Sequence, residues 1–384
     1  GRKEEQATLR EVFQSQMPHF LAITGRRRIG KTYLIKSFFK KHLDFDFTGI
    51  LNASTEQQLL SFHLAFRKSF NLSGKLEAPF SWLEAFHRLS NQLDKVKRKG
   101  KRVVFIDELP WLDTHKSGFL PALDWFWNSW AVNKNVVLIV CGSSTSWVIN
   151  RLVNNRGGLH NRITKRIHLA PFSLAETEKF LRYNKIILSH YHILQIYMAF
   201  GGVPHYLKEI KKGESAMQAI HRISFLKNSL LVNEFDNLYR ALFKNSDQHI
   251  KIVFALSSKF KGLTRKEILQ ITKLKDGGTF TNILNELEWC SFIRSQTTYG
   301  KIKKETLYRL TDEFSLFYIR FMYKKKNVNW LQMADSGNWK SWSGYAFESI
   351  CMKHIMQLKK VLGISGVYSE EFGFIYSGKK SEDG

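Results

Sequence analysis

Eight consecutive residues, Gly25-Arg-Arg-Arg-Ile-Gly30-Lys31-Thr32, match the spacing G-x-x-x-x-G-K-[ST] at every fixed position. Glycine at both ends of such a loop lets backbone N–H groups approach an anion closely. A helix beginning at Lys31 points its positive end at the same charge. The chemistry that needs this arrangement is the binding of a nucleoside triphosphate. Lys31 then bridges the β- and γ-phosphates, and the Thr32 hydroxyl is a ligand for the accompanying Mg2+. Gly25, Arg26, Arg27, Arg28, Ile29 and Gly30 form the cradle, with the three arginines read as surface charge near the phosphates.

Further along, Arg102-Val-Val-Phe-Ile-Asp107-Glu108 is an apolar run closed by two acids. Asp107 is placed to hold the magnesium through water and Glu108 to polarise the attacking water, which favours hydrolysis over binding alone. Cys141-Gly-Ser143-Ser144 follows the next apolar run. Ser144 there either touches the γ-phosphate or its water, the sensor 1 role, or caps the next helix. Two arginines come later. Arg156 reads as surface, whereas Arg162 is the better candidate for an arginine finger, which in trans requires an oligomer.

These residues need a scaffold that gathers strand ends. Phe20 to Thr24, Phe45 to Asn52, Arg102 to Asp107, Asn135 to Gly142 and Lys165 to Ala170 read as strands, the central ones apolar without alternation. Helical stretches at Leu59 to Phe70, Ser81 to Lys95 and Leu120 to Trp130 lie between them, so the expected class is α/β with a parallel sheet covered on both faces. After Pro171 the pattern is helical, beginning with Ser173 and Glu176 at capping-box spacing and including a helix that stops at Gly201-Gly202. From Asp247 to Tyr323, three helices and two extended segments in order predict a winged helix-turn-helix. Its third helix buries Phe280, Ile283, Leu284 and Leu287 and turns Asn282, Asn285 and Glu286 outward. Glu286 and Asp276 there oppose phosphate, while the turn Tyr299-Gly-Lys-Ile-Lys-Lys304 favours it. This module therefore reads equally as DNA-binding and as a protein-interaction or structural element. Beyond it come a tryptophan-rich stretch and a helix over Gly344 to Lys360. The division expected is 1–172, 173–245, 246–324 and 325–384.

In combination, the opening Gly1-Arg2-Lys3-Glu4-Glu5, the phosphate loop, FIDELPWL, CGSS, Leu159 to Arg162, LAPFSLAE and Gly201-Gly-Val-Pro204 resemble the archaeal-type ATPase family, on the AAA+/STAND side of the P-loop ATPases. The resemblance covers nearly the whole chain. It implies ATP as the nucleotide, a sheet of order 5-1-4-3-2, a helical lid and a winged helix after it, with Pro204 against the adenine. Members of that family often end in a module similar to PD-(D/E)xK nucleases. Here Gly344-Tyr-Ala-Phe-Glu348-Ser matches the start of that module, with Glu348 as its first acidic residue. No strand bearing Asp and no later E-x-K follows before Gly384, so that α/β module is expected to be incomplete.

Of the 384 residues, 59 are Lys or Arg and 33 are Asp or Glu, a net charge of +26 that attracts polyanions, nucleic acid first. Cys141, Cys290 and Cys351 have no metal or disulfide spacing, and His190 and His192 read as helix surface and core, so a reducing cytoplasm is the expected compartment. No apolar run is long enough to span a membrane. Opening on Gly1 and not Met, the chain reads as a fragment. Three functions remain: an ATP-hydrolysing switch acting on double-stranded DNA or a protein partner, with a partner or self-association able to supply an arginine finger; a DNA-binding module that binds nucleotide without turnover; and an ATP-gated nuclease completed beyond Gly384.

Overall fold

The computed structural model describes residues 1–97, 99–143, 145–153, 161–296, 306–325, 329–333 and 336–367. The chain divides into two compact units, Gly1–Ala170 and Pro171–Gly384.

The first unit is built on β1 (His19–Thr24), β2 (Phe45–Thr48), β3 (Arg102–Asp107), β4 (Val136–Cys141) and β5 (Lys165–His168). All neighbouring pairs are parallel, and the order β2-β3-β4-β1-β5 is 5-1-4-3-2 read from the other edge. Parallel strands need crossover connections, and helices fill them on both faces. The period of two then sorts the side chains. Phe20 and Ala22 join Val104, Ile106, Leu138 and Val140 on one face, while Leu21 and Ile23 join Val103, Phe105, Val137 and Ile139 on the other.

Helices α1 (Lys3–Gln14) and α2 (Lys31–Phe38) cover the second of these faces with Leu9, Val12, Leu34 and Ile35. Helices α3 (Thr55–Ser69) and α4 (Trp82–Lys95) cover the first through an aromatic cluster, in which Phe62 meets Trp82 edge-on at 5.8 Å. Ser54 and Gln57 close a capping box at the start of α3, and the Ser81 hydroxyl caps α4.

In the second unit, Ser173 and Glu176 form the expected capping box ahead of helix Leu174–Tyr183. Helix His190–Phe200 stops at Gly201, φ +59°, and the next residue must also be small: a Cβ on Gly202 would lie 1.8 Å from the Phe172 carbonyl oxygen, whose residue's N–H donates to Gly202 O at 2.7 Å. Helices Ser246–Ser257, Arg265–Thr272 and Gly278–Trp289 follow, together with β6 (Leu263–Thr264), β7 (Ile293–Gln296) and β8 (Leu307–Leu310). These strands form an antiparallel sheet of order β6-β8-β7. The two-residue β6 is too short to leave a periodic signature. The basic turn at Tyr299–Lys304 lies outside the described residues.

The tryptophan-rich stretch packs with helices that precede it. Trp330, Trp339 and Trp342 are buried in the same hydrophobic cluster as helices His190–Phe200 and Gly278–Trp289. Trp330 stacks on Phe225 at 5.0 Å. The helix expected from Gly344 begins earlier, at Gly337 behind a Ser336 cap, and a second helix, Ile355–Val361, follows after His354. The tryptophans give this segment an apolar face that only the preceding helices can bury. No described residue after Leu310 is in a strand. No described helix is long and apolar enough to cross a membrane.

One charge stands out in the first unit. Lys101, just before β3, is 4% exposed and its ammonium donates to Met17 O at 2.6 Å. Burial lowers its pKa to about 8. Between about pH 8 and 10.5 the unfolded chain therefore binds the proton that the folded chain releases, so this residue makes stability rise with pH in that window. In chemical denaturation from about pH 7.5 to 9.5, the wild type should gain stability relative to Lys101→Met. A parallel pH dependence in the two proteins would remove this assignment.

Candidate nucleotide site

The parallel arrangement puts the C-terminal ends of β1, β3 and β4 at one edge of the sheet, and the candidate residues lie there. β1 runs directly into the loop Gly25–Gly30, and Gly30 is the N-cap of α2. Gly25 has φ +132°, and an added Cβ would sit 2.3 Å from Leu169 O and 2.6 Å from Ile29 Cδ1. Gly30 has φ +89° with open space where its Cβ would be. The first glycine thus answers to contact and conformation together, the second to conformation alone.

The Lys31 side chain folds back over the loop and donates to Gly25 O at 2.7 Å and Arg26 O at 2.9 Å. Thr32, one residue on, donates its hydroxyl hydrogen to Asp107 Oδ2. The other oxygen, Asp107 Oδ1, accepts the Glu108 N–H at 2.9 Å. A lysine held only by carbonyls and a hydroxyl beside a buried carboxylate suit a polyphosphate with Mg2+, a cation that prefers oxygen ligands. Of the three arginines read as surface charge, Arg27 and Arg28 are half-buried, but Arg26 is only 2% exposed. The loop curls so tightly that this first variable residue turns into the protein, which corrects that reading.

Glu108 is held unusually. Its backbone is left-handed, φ 51° and ψ 48°, a conformation costing about 1–2 kcal/mol for a residue with a side chain. Close packing sustains it: a Cβ on Gly49 would come 2.9 Å from Glu108 O, and one on Gly142 would come 2.9 Å from Pro110 Cδ. In this position Glu108 Oε2 accepts two hydrogen bonds from Ser143, from N–H at 3.0 Å and from the hydroxyl at 2.8 Å.

Ser143 thus reaches Glu108, while Ser144, the residue expected at the γ-phosphate or its water, lies outside the described residues. Cys141, the last residue of β4, was not expected to belong to the site. Its thiol is hydrogen-bonded to Asp107, and its pKa is pushed well up by burial and by the Asp107 charge. The signal was present in the parallel register, which pairs Ile106 with Val140 and so sets Cys141 beside Asp107. His168, ending β5, lies 3.2 Å from the Thr24 hydroxyl just before the loop.

The structure does not bring Arg162 to this cluster. It is exposed and precedes β5, and Thr164, two residues on, accepts the Phe20 N–H at 3.1 Å near the start of β1. At about 3.3 Å per residue along β1, that is roughly 20 Å from the phosphate loop of its own chain. Arg156, Leu159 and His160 lie outside the described residues. Pro204, in the second unit, is the first residue of the short helix Pro204–Leu207.

The outward face of helix Gly278–Trp289 also differs from expectation. Glu286 turns inward, its Oε2 2.7 Å from Nε2 of buried His249. Asp276 is bound by the Arg265 guanidinium, which holds its carboxyl below the usual range. The helical period alone set Glu286 outside the apolar stripe, and a partner 37 residues earlier in the chain redirected it.

A five-stranded parallel sheet with these loops at one edge defines a P-loop nucleoside triphosphatase. Residues 1–210 match the model of an ATPase domain predominantly from Archaea, and the chain belongs to that family. An uncharacterized protein of Methanocaldococcus jannaschii is 25% identical over 370 residues, spanning 94% of this chain and 78% of that one. A Walker-type ATPase of Pyrococcus abyssi superposes with TM-score 0.60 at 18% identity, covering 83% of this chain and 95% of that one. The ORC2 protein of Aeropyrum pernix, in ADPNP and ADP complexes, does so with TM-score 0.52 at 14% identity over 92% and 95% of the two chains. At these identities the two solved structures show a shared fold.

The two loop glycines should respond differently to a methyl group. Gly25→Ala should cost about 3 kcal/mol of stability in thermal or urea unfolding, and Gly30→Ala about 1 kcal/mol. Equal losses would mean that the contact with Leu169 is not what demands glycine at position 25.

Proposed function

We propose that this protein hydrolyses ATP with Mg2+ and uses the cycle as a switch acting on double-stranded DNA. The observation that carries hydrolysis is Glu108, an acid beside the Asp107–Thr32 pair with its carboxylate aimed by both donors of Ser143. In this reading the loop amides and Lys31 hold the β- and γ-phosphates. Thr32 and Asp107 hold the metal, which when bound draws charge from the phosphates. Glu108 orients the attacking water and accepts its proton at the carboxylate. Pro204 is assigned to the adenine. Arg162, exposed and far from its own loop, is assigned to a finger acting in a neighbouring copy. The setting is a reducing cytoplasm.

In the second unit, we assign 173–245 to a lid, 246–324 to a winged helix and 325–384 to the start of a nuclease-like module, for which no nuclease activity is claimed. DNA is favoured over a protein partner by the outer face of helix Gly278–Trp289. With Glu286 turned in to His249 and the charge of Asp276 balanced by Arg265, that face exposes Thr279, Thr281 and Asn282. The +26 charge supports the same partner.

Steady-state ATP hydrolysis, with and without duplex DNA at low and moderate salt, tests this function. The wild type should turn over ATP with Mg2+, and Lys31→Ala should not. Glu108→Gln should retain ATP binding while losing about 10²–10⁴ in kcat. Ser143→Ala should lower kcat by about 10-fold with little change in KM, since it removes one of two bonds that aim the carboxylate. DNA should raise the wild-type rate, and salt should abolish that increase. Binding of ATP without turnover in every condition would overturn the hydrolytic role. A rate indifferent to DNA at low salt would point the switch to a protein partner.

A further inference from the structure

We propose that Arg294 and Arg309 form a second anion site, specific for a single phosphate group, on the antiparallel sheet of the second unit. A cavity of about 90 Å³ is lined there by Arg294, Gln296, Arg309, Thr311, Ser349 and Lys353, among others. Ligand pockets usually measure about 300 Å³ or more, so this one suits a tetrahedral oxyanion and not a nucleoside.

The strand period puts Arg294 and Gln296 on one face of β7, and β8 presents Arg309 on the same face with Thr311 just beyond it. Register then sets Arg294 directly opposite Arg309. Two like charges at opposed positions destabilise an antiparallel pair, and an anion held between them reverses the sign of that interaction. Lys353, at the end of helix Gly337–Lys353, brings a third cation. Its ammonium donates to Thr311 O at 3.0 Å and Glu313 Oε1 at 2.6 Å, so Glu313 balances its charge and the two arginines are left to carry the site.

Both guanidinium groups are positioned. Arg294 donates to Met352 O at 3.3 Å, and Arg309 donates to Glu348 Oε1 at 3.2 Å. The stem of Arg309 lies against Gly262, where a Cβ would come 2.8 Å from Arg309 Cγ. Its side chain is 15% exposed, whereas that of Glu348 is 60% exposed. Glu348 is thus a weakly held carboxylate occupying the fork of a well-held arginine. A phosphate offers that fork two acceptor oxygens at once and displaces it. Ser349, on the facing helix, lines the same cavity and brings a neutral hydroxyl for a remaining oxygen.

Equilibrium dialysis of radiolabelled inorganic phosphate against the full chain, in saturating Mg-ADP to occupy the loop, tests the site. Wild type should bind one phosphate, and Arg294→Gln and Arg309→Gln should each weaken it about 10-fold or more. Glu348→Gln should tighten it severalfold, a change in the opposite direction that general damage to the fold does not produce. Lys266→Gln, at an exposed position outside the cavity, should leave it unchanged. Competition by a short duplex, absent in Arg294→Gln, would identify the source as a nucleic-acid backbone; competition by phosphate monoesters alone would identify a soluble phosphate. Arg294 is exposed, so its variant remains folded and decisive. Phosphate binding that is absent in wild type, or equal in wild type, Arg294→Gln and Glu348→Gln, would overturn the proposal.

Discussion

Everything at the nucleotide site depends on β1 being hydrogen-bonded in parallel on both sides, to β4 and to β5. A strand so placed has no solvent-facing side, which is why Phe20 to Ile23 are all apolar and fully buried. Parallel pairing sends every strand's carboxyl end to the same edge. The phosphate loop, the acids after β3 and the serine after β4 are far apart in sequence, yet the pairing leaves them adjacent. The same constraint carries His19, Lys101 and Arg162 to the opposite edge, and no side-chain rotation returns them.

Within that frame the acids are placed by small residues more than by hydrogen bonds. Glu108 stays left-handed because Gly49 and Gly142 let the backbone after β2 and the loop after β4 press against the Glu108–Pro110 turn. Hydrogen bonds then select among the carboxylate's orientations: Asp107 is divided between Thr32 and the Glu108 N–H, and Glu108 is turned to Ser143. The strain is local, and a sheet packed on both faces can sustain it.

Much of this was legible in the sequence because the relevant signals are local. Uninterrupted β-branched runs marked β3 and β4, and a glycine-lysine-threonine loop between a strand and a helix marked the phosphate site. What escaped depended on distant partners. The sequence pattern offered Ser144 for the γ-phosphate or its water, and the residue before it, Ser143, reaches Glu108 only because the turn at Pro110 packs against Gly142. Arg26 looked exposed because charge usually is, and Glu286 because it lies off an apolar stripe. Nor does any local pattern announce that Trp330 packs against Phe225 and Phe317 in the core of the second unit.

The distribution of charge follows from similar long-range pairing. In the second unit many acids are already committed to basic partners: Glu214 to Arg222, Glu267 to Lys259, Asp276 to Arg265, Glu286 to His249 and Glu313 to Lys353. Arginine or lysine beside Glu214, Glu267 and Asp276 lowers each carboxyl's pKa, so these acids stay ionised and continue to neutralise their partners. Acids used in this way cancel cations next to them and are not available to screen the rest of the surface. With 59 basic residues against 33 acidic ones, the excess must face solvent, since unpaired charge is not tolerated in the core. Exposed charges act over roughly 8–10 Å at physiological salt, long enough for neighbouring cations to reinforce one another along a surface. A polyanion gathers that reinforcement continuously, whereas a single small anion needs a cavity such as the one beside Arg309.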